Sequence, residues 1–496
     1  MAEAVTLGVD IGTSSSKGVL VDARGAILAT ATREHSPSRP HPGHVEMPAE
    51  IWWDEFVAIS RDLLAAAPDA EVTAVGVSGM GPCVLVTDEH DEPLRPAILY
   101  GVDTRATKQI AALTDRFGAD EILERCGSVL TTQAAGPKLA WIRENEPEVW
   151  AEAKRLYMPA SFLANRLTGA YVLDFHSASQ CTPLFDTLAL EWYPAWADEV
   201  APGLELPKLV WPADVVGEVT AEAATLTGIP EGTPVVAGTI DAWTEAISVG
   251  AQNPGDLMLM YGTTMFLICT VEQPVTTPSM WGTVGAFPGT RNLAGGMATS
   301  GAITGWLREL YGSPRFEDLV EEAAKSGPGA RGLLMLPYFA GERTPIQDPD
   351  ARGIVAGLTL SHERGDLYRA ALEATALGVR QNVAAMTAAG APIERIVAVG
   401  GGTKGSLWTR IVSDVTGLPQ VIPEKTIGAS YGAAFLAATA RGDVDIDAWN
   451  PPAETVEPDP EAAASYDELF SLYEQLYHST ADIAHALAER QRLADS

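Results

Sequence analysis

The chain has 496 residues and a formal net charge of −32, from 33 Lys and Arg against 65 Asp and Glu. That length exceeds what one hydrophobic core supports, so at least two core-bearing domains are expected. A composition of 46% apolar and 20% charged residues excludes a wholly disordered or fibrous chain, and the acidity excludes duplex-wide nucleic-acid binding, which needs clustered Lys and Arg.

In chain order, Met1-Ala2-Glu3-Ala4 carries no basic segment, and no signal peptide is expected. Residues 5–22 read as a β-hairpin around a Gly/Thr/Ser turn, and 26–31 as a third strand. Residues 48–66 read as an amphipathic helix with Trp52, Trp53 and Phe56 on its apolar side. Strands are expected at 72–77 and 84–87, and at 234–240 running into a helix near Asp241. Residues 257–271 repeat the opening scheme of strand, Gly-Thr turn and strand. The two Gly-Thr pairs, at Gly12 and Gly262, lie 250 residues apart, which suggests a duplicated core with one hairpin per domain. A long helix at 365–389, a strand at 395–399, a helix at 406–416, a short strand at 420–422 and a small-residue helix at 428–440 follow. Residues 451–460 read as a Pro/Glu linker, and 462–493 as a final amphipathic helix. The whole is an α/β pattern. Its four Cys are scattered without a CxxC, which argues for a reducing, cytoplasmic setting and against a zinc site. No apolar run reaches membrane-spanning length, so neither a membrane nor a nucleic-acid partner is expected.

Several motifs carry chemistry. Asp10-Ile11-Gly12-Thr13-Ser14-Ser15-Ser16-Lys17 offers backbone N–H groups, hydroxyls and a cation. Such a concavity suits phosphate oxygens, and Asp10 beside it suits a hydrated Mg2+. A polar hairpin turn with a solvated lysine is the alternative. Gly400-Gly401-Gly402-Thr403-Lys404-Gly405 satisfies GxGxxG, with Glu424 22 residues after Gly402. That spacing admits an NAD-dependent oxidoreductase, another nucleotide site, or a plain tight turn. Asp241 stands where a strand gives way to a helix, as a helix cap or as a carboxylate base for phosphoryl transfer. Tyr100-Gly101-Val102-Asp103-Thr104-Arg105 ends a strand with an aromatic, an acid and a base, which suits a sugar or an exposed loop ion pair.

Together these segments resemble the FGGY family of carbohydrate kinases, within the actin-like ATPase superfamily. The resemblance runs in order along nearly the whole chain. It takes in Gly8-Val9-Asp10-Ile11-Gly12-Thr13-Ser14, Gly43-His44-Val45-Glu46 with Trp52-Trp53, and Arg95 to Tyr100. It continues through Gly238-Thr239-Ile240-Asp241, Tyr261-Gly262-Thr263-Thr264, the stretch from Pro337 to Pro345, and Gly400 to Trp408. It implies two actin-like (ribonuclease H-like) domains, 1–245 and 246–496, enclosing a central cleft. It implies ATP and Mg2+ as cofactors, a sugar as substrate, and is compatible with a homodimer. Asp241 becomes the catalytic base and Asp10 the Mg2+ carboxylate. Gly12, Thr13, Ser14 and Lys17, with Gly262, Thr263 and Thr264, surround the phosphates, and Gly401, Gly402 and Lys404 bind the nucleotide. Met80, Tyr100, Asp103, Arg105 and Asp241 contact the sugar.

The departures concern the substrate. The Gln-Met-His triplet usual in xylulose kinases of the family falls here within Ser78-Gly79-Met80-Gly81-Pro82-Cys83, with Pro82 at the histidine position, and the Trp-Asn-Asp-Gly-Arg segment on 100–105 with one extra residue. A ketopentose such as xylulose is the first expectation, with a tetrulose, a polyol or an aldonate as alternatives. An NAD-dependent oxidoreductase and a non-catalytic ATP-switched module are the readings of other classes.

Overall fold

The computed structural model describes residues 3–442 and 444–495. Its contacts divide the chain into two compact units. The first comprises Met1–Gln252, Glu272–Asn292 and Lys425–Pro451, and the second Asn253–Val271, Leu293–Glu424 and Pro452–Ser496. A single cut after residue 245 separates the two hairpins. It leaves Glu272–Asn292 and Lys425–Pro451, which join the first unit, on the far side.

The first unit is built on a seven-stranded sheet. Its order is Val215–Glu218, Pro234–Val236, Ala70–Gly79, Glu3–Ile11, Ser15–Asp22 and Ile27–Glu34, with Thr239–Ile240 also pairing Ala70–Gly79. Glu3–Ile11 runs antiparallel to Ser15–Asp22 and parallel to Ala70–Gly79. The strands facing helices on both sides are apolar and buried, as Val5, Leu7, Val9 and Ile11 show. The helix Ala49–Ala66 covers one face through Trp52, Phe56, Ile59 and Leu63.

The helix Ala429–Thr439, almost entirely Ala, Gly and Ser apart from Tyr431, Phe435 and Leu436, lies on the other face. It approaches the sheet at backbone distance. Gly8 and Gly76 are register partners on neighbouring strands. A Cβ on Gly8 would overlap the Ser430 carbonyl and the Ala434 N–H, and one on Gly76 the Ala433 carbonyl. On its other side a Cβ on Gly432 would overlap the Thr244 carbonyl in the helix Asp241–Ser248. The small-residue composition is therefore a packing requirement.

The second unit repeats the pairing scheme. Asp256–Tyr261 runs antiparallel to Met265–Val271 and parallel to Arg395–Val399, which pairs parallel with Gln420–Pro423. The long helix Arg364–Ala388 and the helix Ser406–Thr416 pack together beside this sheet, and Pro460–Asp495 closes over Ser406–Thr416. Among the described residues no helix is long and apolar enough to cross a membrane.

Two expectations need correction. The run 234–240 is not one strand. It breaks at Gly238, whose φ of 69° and close approach to the Val77 carbonyl exclude a side chain. The presumed linker at 451–460 contains the strand Pro452–Val456, antiparallel to Gln420–Pro423 at the sheet edge. An edge strand tolerates proline, because its free side needs no N–H donor, and Val456 anchors it in the core.

The glycine contacts give a stability test. Gly8→Ala should cost about 2 kcal/mol, because the added methyl meets immobile backbone rather than a flexible side chain. Urea unfolding should show this as a lower midpoint at an unchanged slope.

Candidate active site

In the first unit, the ends of three neighbouring strands bring carboxylates together. Asp10 is near the end of Glu3–Ile11, and its register partners are Lys17 across the hairpin and Ser78 on Ala70–Gly79. Asp241 is the first residue of the helix Asp241–Ser248, directly after Thr239–Ile240, which pairs with Ser78 and Gly79. It does not cap that helix. Its Oδ1 accepts the N–H of Ala242, the next residue, at 2.7 Å. Glu245, one helical turn on, accepts the N–H of Ala429 at the start of the small-residue helix.

The charges are poorly compensated. Burial, then the nearby Asp241, raises Asp10 from the ordinary carboxylate range to about 8, against opposing contributions from Ser78 and Lys17. Burial raises Asp241 to about 6, and burial with Asp241 raises Glu245 to about 7. One oxygen of Asp10, Oδ1, is buried without a hydrogen-bond partner. Three crowded carboxylates opposite one lysine release their protons at higher pH than they would in water. A cation would relieve them. Among the described residues no three His, Cys, Asp or Glu converge tightly enough to enclose a metal. The donor set therefore fits a hydrated Mg2+ shared with phosphate oxygens rather than a closed protein cage.

The first hairpin turn, with Gly12, Thr13 and exposed Ser14, lies beside this cluster. The Thr13 and Tyr100 hydroxyls hydrogen-bond at 2.9 Å, which ties the turn to the segment 100–105. That segment is held from beneath. Gly101 donates its N–H to Gln133 at 2.9 Å and accepts from the Thr132 hydroxyl at 3.0 Å. The Thr132 carbonyl in turn accepts from the buried Lys138 ammonium at 2.7 Å. Burial pushes that ammonium down to about 8, with Cys83 and Asp103 opposing.

Three of the expected sugar contacts are buried or engaged with other side chains in this structure. Asp103 and Arg105 are neither an exposed ion pair nor free donors. Arg105 Nη2 meets Asp103 at 2.7 Å and its Nη1 meets Glu46 at 2.7 Å, with the guanidinium over Trp141. Asp103 also accepts the Val45 N–H at 2.6 Å. Their side chains are at most 1% exposed, so they brace the loop. Met80 is fully buried in the core of the unit and presents no open surface. Glu245, Lys138, Gln133 and Thr132 join these residues only in the folded chain. The only local signal for Glu245 was its spacing of four from Asp241.

In the second unit, the turn Gly262-Thr263-Thr264 sits on the start of the helix Gly301–Leu310. The Gly262 carbonyl accepts the Gly301 N–H at 3.0 Å, and the Thr263 carbonyl accepts those of Ser300 and Ala302 at 3.0 and 3.1 Å. Gly400 adopts φ 93° against the Tyr261 backbone, and the 3-10 turn Gly401–Lys404 follows. A Cβ on Gly402 would press on Tyr261 and Trp408 at 2.8 and 2.9 Å, whereas Gly401 and Lys404 are exposed. The strand before this loop neighbours an antiparallel hairpin. That is not the parallel sheet of a dinucleotide-binding fold.

Comparison with known proteins identifies the family. The models of the N-terminal and C-terminal domains of the FGGY family of carbohydrate kinases match residues 5–248 and 257–441. The xylulose kinase of Lactococcus lactis is 29% identical, over 97% of this chain and 98% of its own. The glycerol kinase of Alkalilimnicola ehrlichii is 31% identical, over 88% and 90%. The crystal structure of a xylulose kinase from Rhodospirillum rubrum superimposes with a TM-score of 0.91 at 32% identity, covering 97% of this chain and all of that one.

The uncompensated carboxylates imply a stability cost in the ligand-free protein. Asp10→Asn should raise the thermal midpoint at neutral pH by about 2 °C or more, since the amide removes the cost of burying, or of protonating, an ionisable carboxyl. Differential scanning calorimetry in the presence of a chelator measures it.

Proposed function

Since this chain belongs to the FGGY family of carbohydrate kinases and is therefore a sugar kinase, we propose that it moves the γ-phosphate of ATP to a hydroxyl of a small sugar. A ketopentose such as xylulose is the first candidate, and Asp241 is the base. The observation that carries the assignment of the base is the placing of Asp241. It is half-buried beside Asp10 at the strand ends, with one oxygen committed to Ala242 N–H.

In this reading the sugar hydroxyl gives its proton to Asp241 as its oxygen forms the new bond to phosphorus, and the bond to the ADP oxygen breaks. A carboxylate raised to about 6 is more basic than an ordinary one yet still largely ionised at neutral pH. The N–H groups and hydroxyls of Gly12, Thr13 and Ser14 bind phosphate oxygens with Lys17, and Gly262, Thr263 and Thr264 do so in the second unit. Gly401, Gly402 and Lys404 bind the nucleotide, with Gly401 leaving the backbone open to close approach. Tyr100 meets the sugar, and Asp103 and Arg105 shape the loop that presents it. Asp10 would hold Mg2+, which when bound neutralises charge on the phosphates. The orphaned Oδ1 of Asp10 supports that role. The four cysteines are buried free thiols, which fits a cytoplasmic setting.

Substrate choice remains within the family's range. Pro82 stands at the histidine position of the usual xylulose kinase triplet, and a gluconokinase and a glycerol kinase stand among the relatives. The test is ADP release against a panel of ketoses, polyols and aldonates, compared as kcat/KM, with Asp241→Ala as the control. That variant should lose turnover by about a thousandfold or more while retaining ATP affinity within a few fold. Near-normal sugar-dependent turnover in it would remove Asp241 from the role of base.

A further inference from the structure

We propose that His35 is a positioning residue for the first phosphate turn, buttressed by Glu55, and that it orients the turn's backbone toward the nucleotide's phosphates. The inference rests on the phosphate-binding reading of Gly12, Thr13 and Ser14.

His35 follows directly on the strand Ile27–Glu34 and reaches the hairpin turn twice. Its backbone N–H donates to the Ser14 carbonyl at 3.1 Å. Its ring Nε2 donates to the Gly12 carbonyl at 2.9 Å. The two carbonyls that flank Thr13 are therefore both drawn onto one residue. A trans peptide points its C=O and the following N–H in opposite directions. Holding the Gly12 carbonyl on the imidazole therefore aims the Thr13 N–H away from it. A turn without this hold could accept the Ser15 N–H at the Gly12 carbonyl and rotate the peptide.

The ring itself is fixed from behind. Its Nδ1 meets a carboxylate oxygen of Glu55, on the helix Ala49–Ala66, at 2.9 Å. The imidazole is 5% exposed and the Glu55 side chain 15%. A carbonyl and a carboxylate are both acceptors. The Nε2 N–H therefore donates to the Gly12 carbonyl, and one proton lies between Nδ1 and Glu55. Carboxylate backing of a histidine that directs another group is a recognised way of fixing ring orientation.

The second unit provides an internal control. Its equivalent turn also has its carbonyls taken up from behind, Gly262 by the N–H of Gly301 and Thr263 by those of Ser300 and Ala302. There the start of a helix does the holding. In the first turn the imidazole takes the matching Gly12 carbonyl, while the His35 N–H takes the carbonyl of Ser14 rather than of Thr13. The glycine carbonyl is held by different groups in the two halves, which argues that orienting the Gly-Thr peptide is a need of both hairpins.

The test compares ligands that do and do not carry phosphates. In His35→Ala, ATP affinity by calorimetry should fall about tenfold, with adenosine affinity and the sugar KM each within twofold of wild type. His35→Gln, whose amide can still donate to Gly12, should recover part of the loss. Glu55→Gln, which keeps a hydrogen bond but removes the charge, should show a smaller loss of the same kind. Amide exchange across residues 11–16 in the ligand-free protein reads the hold without any ligand and should be faster in His35→Ala. Unchanged exchange there, or equal losses for ATP and adenosine, would overturn the proposal. Exchange that speeds up as expected in a protein whose wild type binds no ATP would sustain the hold on the turn and defeat the kinase reading instead.

Discussion

The first unit depends on one close contact, a helix laid on glycine backbone. Gly8 and Gly76 are paired across neighbouring strands, and the helix Ala429–Thr439 rests on both. Two residues further along those strands come Asp10 and Ser78, again paired. The contact that excludes side chains at one level thereby fixes the height and tilt of the strands that present the acid at the next. On its far side the same helix meets Asp241–Ser248 through Gly432, and its first N–H is taken by Glu245. One layer of small residues thus sets the spacing between the sheet carrying Asp10 and the helix carrying Asp241 and Glu245.

That precision is obtained at an electrostatic cost. Asp10, Asp241 and Glu245 all have their acidities weakened by burial. Folding supplies too little opposite charge, since Lys17 is exposed and stands alone across the hairpin. The net charge of −32 does not explain this, because exposed carboxylates beyond a Debye length are largely screened. The tension is local and belongs to the site. It is the pattern expected where a ligand, rather than the protein, completes the charge balance.

How much of this the sequence disclosed depended on whether the determining contacts are local. Both hairpins were legible, because a Gly-Thr turn between β-rich runs is defined within a dozen residues. So was the junction at Asp241. Glu245 was not, because its significance comes from Ala429, brought in from far along the chain. Asp103 and Arg105 were legible as an acid and a base but not as a buried pair, since Glu46 and Val45 decide their burial. The strand Pro452–Val456 was hidden by its prolines. Composition alone reads them as a linker, and only pairing with Gln420–Pro423 makes an edge strand of them.

The duplicated hairpin shows where the two kinds of information meet. Sequence repetition marks the turns at Gly12 and Gly262, but it does not show what holds them. In each the glycine carbonyl is turned back into the protein, onto His35 in one unit and onto Gly301 N–H in the other. A glycine at that place leaves the approach free of a side chain on either face. The peptide is then oriented by whatever donor lies behind it. The donor can change between halves without changing the turn, and so the repeat is visible at the turn and lost immediately behind it.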